Sequence, residues 1–117
     1  MNEEETLAKA VQLILESRPE EALRLLSQHY KIPPPKLKIG LPKRCKKALG
    51  CYTPRDKTIH LRSSSEYNNP HVILHEYYHH LRYRHGKHRG TEKHADQYAQ
   101  KAIQAWRKHH NTVRDKL

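Results

Sequence analysis

Residues 71–96 read HVILHEYYHHLRYRHGKHRGTEKHAD and hold seven of the eleven histidines in a chain of 117 residues. Apolar residues recur here at helical spacing. The stretch reads as a helix from about Pro70 to Tyr83 that ends near Gly86, a loop through Gly90, and a last helix capped by Thr91 and running to about His109. On the first helix His75, Glu76 and His79 form H-E-x-x-H. Residues four apart project from one helical face, so both imidazoles can reach one metal ion with Glu76 beside them. Neutral imidazole suits zinc, and a carboxylate next to a zinc-bound water can take its proton.

A third ligand has to come from downstream, where His80, His85, His88, Glu92, His94 and Asp96 are the candidates. His80 points about 100° away from His79 and reads as a surface residue. His85 stands at the third-ligand spacing of the longer motif H-E-x-x-H-x-x-G-x-x-H. Arg82 replaces the glycine of that motif, however, and a helix continuing through it carries His85 roughly 240° around from His79. Glu92 and Asp96 extend the apolar stripe of the last helix (Ala95, Ala99, Ala102, Ile103, Trp106) towards its N-terminus. Two inward carboxylates are expensive unless paired or metal-bound, which favours Glu92 as ligand and Asp96 as the group that orients a histidine, His75. An acidic first turn explains Glu92 as well, but Asp96 less so. His94 falls on the other side of that helix, with Tyr98 and Lys101.

Working outward, SSSEYNNP is a polar loop ahead of Pro70, itself a good first-turn residue. KLKIGL, ALGCYTP and TIHLR read as short strands, the last two joined by a hairpin at PRDK. In TIHLR, Ile59 and Leu61 point to one face and Thr58, His60 and Arg62 to the other. Leu7, Ala10, Val11, Ile14 and Leu15 mark a first helix. Ser17, Pro19 and Glu20 predict a capping box for a second, which Pro33, Pro34 and Pro35 terminate. Leu74, Tyr77, Tyr78 and Leu81 lie opposite the metal motif and are expected in the core. The fold class is therefore α+β, with N-terminal helices, a small mainly antiparallel sheet, the motif helix and a C-terminal helix. One domain spans 1–117: a helical segment 1–30, the sheet within 36–62 and the metal-site helices within 70–109.

The net charge of +11 is uneven, since residues 1–30 carry six acids and three bases and leave +14 for the rest. Such a field suits polyanions, and the basic Lys36–Lys47 cluster with RYRHGKHR could contact nucleic-acid phosphates. No run of 18 apolar residues occurs, and the N-terminus is acidic where a secretory signal is basic and then apolar, so the chain reads as intracellular (cytoplasmic) with no membrane partner. Cys45 and Cys51 are too few for a disulfide framework and read as reduced, small apolar residues, with a single bridge between them left open.

VILHEYYHHL followed by EKHADQYA resembles the gluzincin pattern, with H-E-x-x-H on one helix and Glu with a following Asp on the next. With ALGCYTPRDKTIHL as the preceding hairpin, the region from Ala48 to Trp106 is similar to the zincin-like ImmA/IrrE-type minimal metallopeptidases and to the SprT/Spartan group. The resemblance implies one zinc ion on His75, His79 and Glu92, Glu76 as general base and acid, Asp96 behind the ligands, and a protein or peptide substrate pairing with the strand Thr58–Arg62. It departs from that pattern in two places. Only twelve residues separate His79 from Glu92, and His94 stands where ImmA-like sequences often have Glu; a third histidine, as in SprT-like sites, makes His94 the competitor of Glu92. Tyr83 is the first candidate to stabilise an oxyanion, with His85 and His88 behind it. The alternatives to a zinc metallopeptidase are a basic nucleic-acid-binding protein and a zinc-binding interaction protein without turnover.

Overall fold

The computed structural model describes the backbone of residues 1–84, 87–88 and 90–115 and the side chains of 1–83 and 90–110. His85 and Gly86, and the side chain of His88, lie outside the described residues. Asn2 opens α1 (Glu3–Leu15) with a capping box, its side chain accepting the Glu5 N–H at 2.8 Å. The helix closes in a Schellman turn: Arg18 N–H donates to the Leu13 carbonyl at 2.8 Å and Ser17 N–H to the Ile14 carbonyl at 2.9 Å, with Ser17 at φ +60°. Ser17 is thereby consumed as the residue that ends α1. The expected Ser17–Glu20 capping box does not form, and α2 (Pro19–Tyr30) starts from Arg18 without a side-chain cap.

Three strands follow, β1 (Lys36–Ile39), β2 (Gly50–Thr53) and β3 (Thr58–Leu61), in the order β1-β3-β2. β2 and β3 form the expected antiparallel hairpin, but β1 runs parallel to β3. The sheet is therefore mixed where a mainly antiparallel one was expected. Residues 40–49 carry the chain from one edge to the other, and β3 returns between the two outer strands. Ile59 and Leu61 are fully buried; so is Thr58, whose hydroxyl donates to the Asp56 carbonyl at 3.1 Å, whereas Arg62 is exposed.

In the 40–49 crossing, a short 3-10 turn at Lys43–Cys45 folds back beside β2, and Cys45 and Cys51 are joined in a disulfide with a Cα separation of 6.3 Å. This corrects the expectation of two reduced, small apolar residues. The two cysteines are six positions apart, and the turn between them brings their sulfurs together, a proximity that the spacing alone left open.

α3 (Pro70–Arg82) starts at Asn69, whose side chain accepts the Val72 N–H at 3.3 Å. A tight ribbon, β4 (Tyr83–Arg84) paired antiparallel with β5 (Lys87–His88), then turns the chain back to α4 (Glu92–Asp115). Thr91 caps α4 by accepting the His94 N–H at 3.1 Å, and the helix runs past the expected end at His109. Ala95, Ala99, Ala102 and Ala105 are buried where α4 packs on α1 and α3, and such small side chains let helices approach closely. Leu74 and Tyr77 are fully buried, as expected, but Tyr78 and Leu81 are half-buried. Among the described residues no helix is long and apolar enough to cross a membrane.

Candidate metal centre

The α3–α4 packing brings three histidines opposite two acids. Spacing by one helical turn puts His71, His75 and His79 on one face of α3, and the first turns of α4 supply Glu92 and Asp96. His79 Nε2 lies 2.7 Å from Glu92 Oε1, and His75 Nε2 lies 2.9 Å from Glu92 Oε2. On its other ring nitrogen, His75 donates from Nδ1 to Asp96 Oδ1 at 2.8 Å. Ligand atoms of His75, His79 and Glu92 all fall within 4.8 Å of one another, a group that could hold a metal ion.

The donor chemistry fits a transition ion such as zinc: two imidazoles, one carboxylate, and a carboxylate behind His75 that fixes its ring. Burial pulls the His75 imidazole down, but the Glu76 charge and the hydrogen bonds to Asp96 and Glu92 outweigh it and hold the ring above its ordinary range. A field that favours a proton at this point favours a metal cation as well. The hydrogen bond from His75 in turn holds Asp96 below the usual carboxylate range.

Exposure of the two acids differs from the sequence expectation. The Glu92 side chain is 77% exposed and that of Asp96 51%, whereas those of His75 and His79 are 13% and 12% exposed. The first turn of α4 projects past the core, so its carboxylates face α3 from the rim and avoid the burial cost that the stripe suggested. His94 is exposed and turned away, its Nδ1 2.8 Å from the Thr91 hydroxyl, outside the metal-competent groups among the described residues.

A cleft of about 450 Å³ lies beside these groups, lined by Glu76, His79 and Glu92 on the helical side and by Gly50, Cys51 and Tyr52 of β2 on the other. The Glu76 side chain is 11% exposed, with Oε2 3.9 Å from His75 Nε2. Burial pushes its carboxyl up to about 7, His75 opposing, Glu92 adding, and a hydrogen bond from the Tyr52 backbone N–H opposing. Gly50 permits this seating, because a Cβ there would come within 2.8 Å of Val72 Cγ1 and 3.2 Å of Glu76 Cγ. Gly90 does the same for Tyr78, whose ring would lie 2.4 Å from an added Cβ.

The strand bordering the cleft is β2, where Thr58–Arg62 was expected. β3 is paired on both sides and has no free edge, whereas β2 is an outer strand. The Leu49 carbonyl accepts the Arg62 N–H at 2.8 Å, so alternation turns the main-chain groups of Gly50 and Tyr52 outward. Tyr83 packs against the hydrophobic core, and among the described residues it does not line the cleft.

His80 is corrected outright, being buried. Its Nδ1 accepts from the Tyr52 hydroxyl and its Nε2 donates to the Pro33 carbonyl, both at 2.8 Å. Burial and then the Lys57 charge lower its pKa against the Pro33 hydrogen bond, favouring the neutral ring. Sequence reasoning also passed over His71, whose Nε2 lies 3.3 Å from Asp96 Oδ1; its position one turn before His75 was the available signal. No protein-family model matches the chain, nor does any curated protein or solved structure.

Proposed function

We propose that the protein is a zinc-dependent metallopeptidase of the gluzincin type, with His75, His79 and Glu92 holding the ion. The observation carrying this reading is the meeting of a three-donor group, a buried carboxylate and an outer β-strand at one cleft. Zinc, when bound, supplies a Lewis acid that acidifies water and polarises a carbonyl oxygen. Glu76 accepts the proton of the attacking water on its carboxylate and delivers it to the leaving amine nitrogen. Asp96 holds His75 by accepting from Nδ1, which keeps Nε2 aimed at Glu92 and His79. An extended peptide lies along β2, with the outward groups of Gly50 and the Tyr52 carbonyl as its main-chain partners, the Tyr52 N–H being held by Glu76. The twelve residues between His79 and Glu92 are enough, since the β4–β5 ribbon reverses the chain within that length.

The test is zinc content and cleavage of an unstructured protein by the wild type and by Glu76→Gln. Bound zinc in both, with cleavage lowered about 100-fold or more in the variant, is the expected result. Purified protein that takes up no zinc overturns the reading. Zinc in both forms with equal absence of cleavage points instead to a metal-binding interaction protein.

A second reading has its own observation. Lys43, Arg44, Lys46 and Lys47 gather around one concave surface at the 40–49 crossing, braced by Arg62 Nη2 donating to the Lys46 carbonyl at 2.8 Å. Nucleic acid bound there loses affinity steeply as salt rises, and the loss is shallower when two of these lysines are replaced by Gln.

A further inference from the structure

The contacts between α3 and α4 do not stop at His75, His79 and Glu92. One turn towards the start of α3, His71 joins His75 and Asp96 in a second group whose ligand atoms lie within 4.8 Å of one another. Asp96 Oδ1 is shared by the two rings, 3.3 Å from His71 Nε2 and 2.8 Å from His75 Nδ1. Among the described residues no hydrogen bond reaches Asp96 Oδ2. The His71 side chain is 44% exposed and that of Asp96 51%, so this end of the helix pair opens directly to solvent.

We propose that His71 and Asp96 form a second, weaker site for a divalent transition ion, one helical turn from the site assigned to catalysis. The donor set is an imidazole nitrogen with two carboxylate oxygens, suited to zinc and its neighbours and poor for magnesium or calcium, which take all-oxygen shells. His75 decides the ranking of the two sites. A neutral imidazole has one lone pair, so His75 serves the first ion through Nε2 or the second through Nδ1, and not both at once. Once the first ion holds His75, the second has only His71 and Asp96 from the protein and is the weaker. Filling it engages the carboxylate that accepts from His75 Nδ1, so the second ion loosens the support of the first site. An excess of metal is therefore felt at the catalytic centre without entering the cleft.

This inference borrows the first site from the functional reading but stands on different residues, and the experiment separates them. Zinc is counted at equilibrium in buffers of graded free zinc for the full-length wild type, His71→Ala, His71→Gln and Glu92→Gln. The wild type is expected to bind two ions in two resolved steps. His71→Ala and His71→Gln are expected to lose the weaker step and keep the tighter one within about twofold, as an exposed side chain away from the first group allows. Loss of the tighter step in Glu92→Gln with the His71-dependent step retained also supports the second site. A wild type whose only step survives both His71 substitutions, or a weaker step that survives them beside the tight one, overturns the proposal and leaves the first site standing. Absence of a tight step in the wild type, with a His71-dependent step present, counts against the functional reading and for this one.

Discussion

His80 ties the motif helix to the sheet and to the proline run, since its two ring nitrogens join Tyr52 on β2 to the Pro33 carbonyl. Removing it leaves both partners unsatisfied in a buried place, so His80→Ala should lower stability by about 2–3 kcal/mol, read as a shift in urea midpoint. His80→Gln should recover part of that loss by restoring a donor or an acceptor. The helical period puts this ring about 100° from His79 and carries no information on what packs over it. Its burial depends on β2 arriving over that side of α3, which no local spacing encodes. H-E-x-x-H was legible because its geometry is local to one helix; Glu92 and Asp96 were legible as a pair, although their exposure was not. Glu76 is the residue on which the proposed chemistry rests, and retained zinc with lost cleavage in Glu76→Gln is what that role requires.

At the scale of elements, the α1–α2 junction and the sheet mark where sequence reading ran out. Ser, Pro and Glu at 17, 19 and 20 fit a capping box equally well on paper, yet Ser17 sits at φ +60° in the turn that ends α1. Ser17→Gly should therefore raise stability by roughly 0.5–1 kcal/mol, since glycine adopts that backbone without steric cost. Ser17→Ala should be near neutral; a loss of about 1 kcal/mol would instead mean that Ser17 caps α2. The hairpin of β2 and β3 was visible from its turn residues. The parallel pairing of β1 was not, because it depends on a ten-residue crossing whose direction the strand patterns leave open. That crossing makes β2 the outer strand beside Glu76 and brings Cys45 to Cys51.

Over the whole molecule, the charge asymmetry read from the sequence is partly spent internally. The acidic start of α1 docks on the basic flank of α4 through Glu3 and Lys101 at 2.7 Å and Glu4 and Lys108 at 3.2 Å. The hydrogen bond from Lys101, aided by Tyr30 against a burial cost, holds Glu3 below the usual carboxylate range. A carboxyl lowered on folding stabilises the native state above its unfolded range near 4.5, and that contribution fades as pH falls through the folded value. Glu3→Gln should thus cost less than about 1 kcal/mol at neutral pH, the pair being partly exposed. The gap to wild type should narrow as pH falls below that unfolded range and close once Glu3 is protonated in the folded state, as followed by urea unfolding at each pH.

The whole arrangement converges on one claim, that Glu92, on the far side of a twelve-residue reversal, completes a metal site with His75 and His79. Zinc affinity by chelator competition for wild type, Glu92→Gln and His94→Ala tests it most directly. Glu92→Gln is expected to lose about 100-fold or more in affinity, at or above the loss for a supporting residue, and His94→Ala less than about twofold. A large loss in His94→Ala with little change in Glu92→Gln would contradict it.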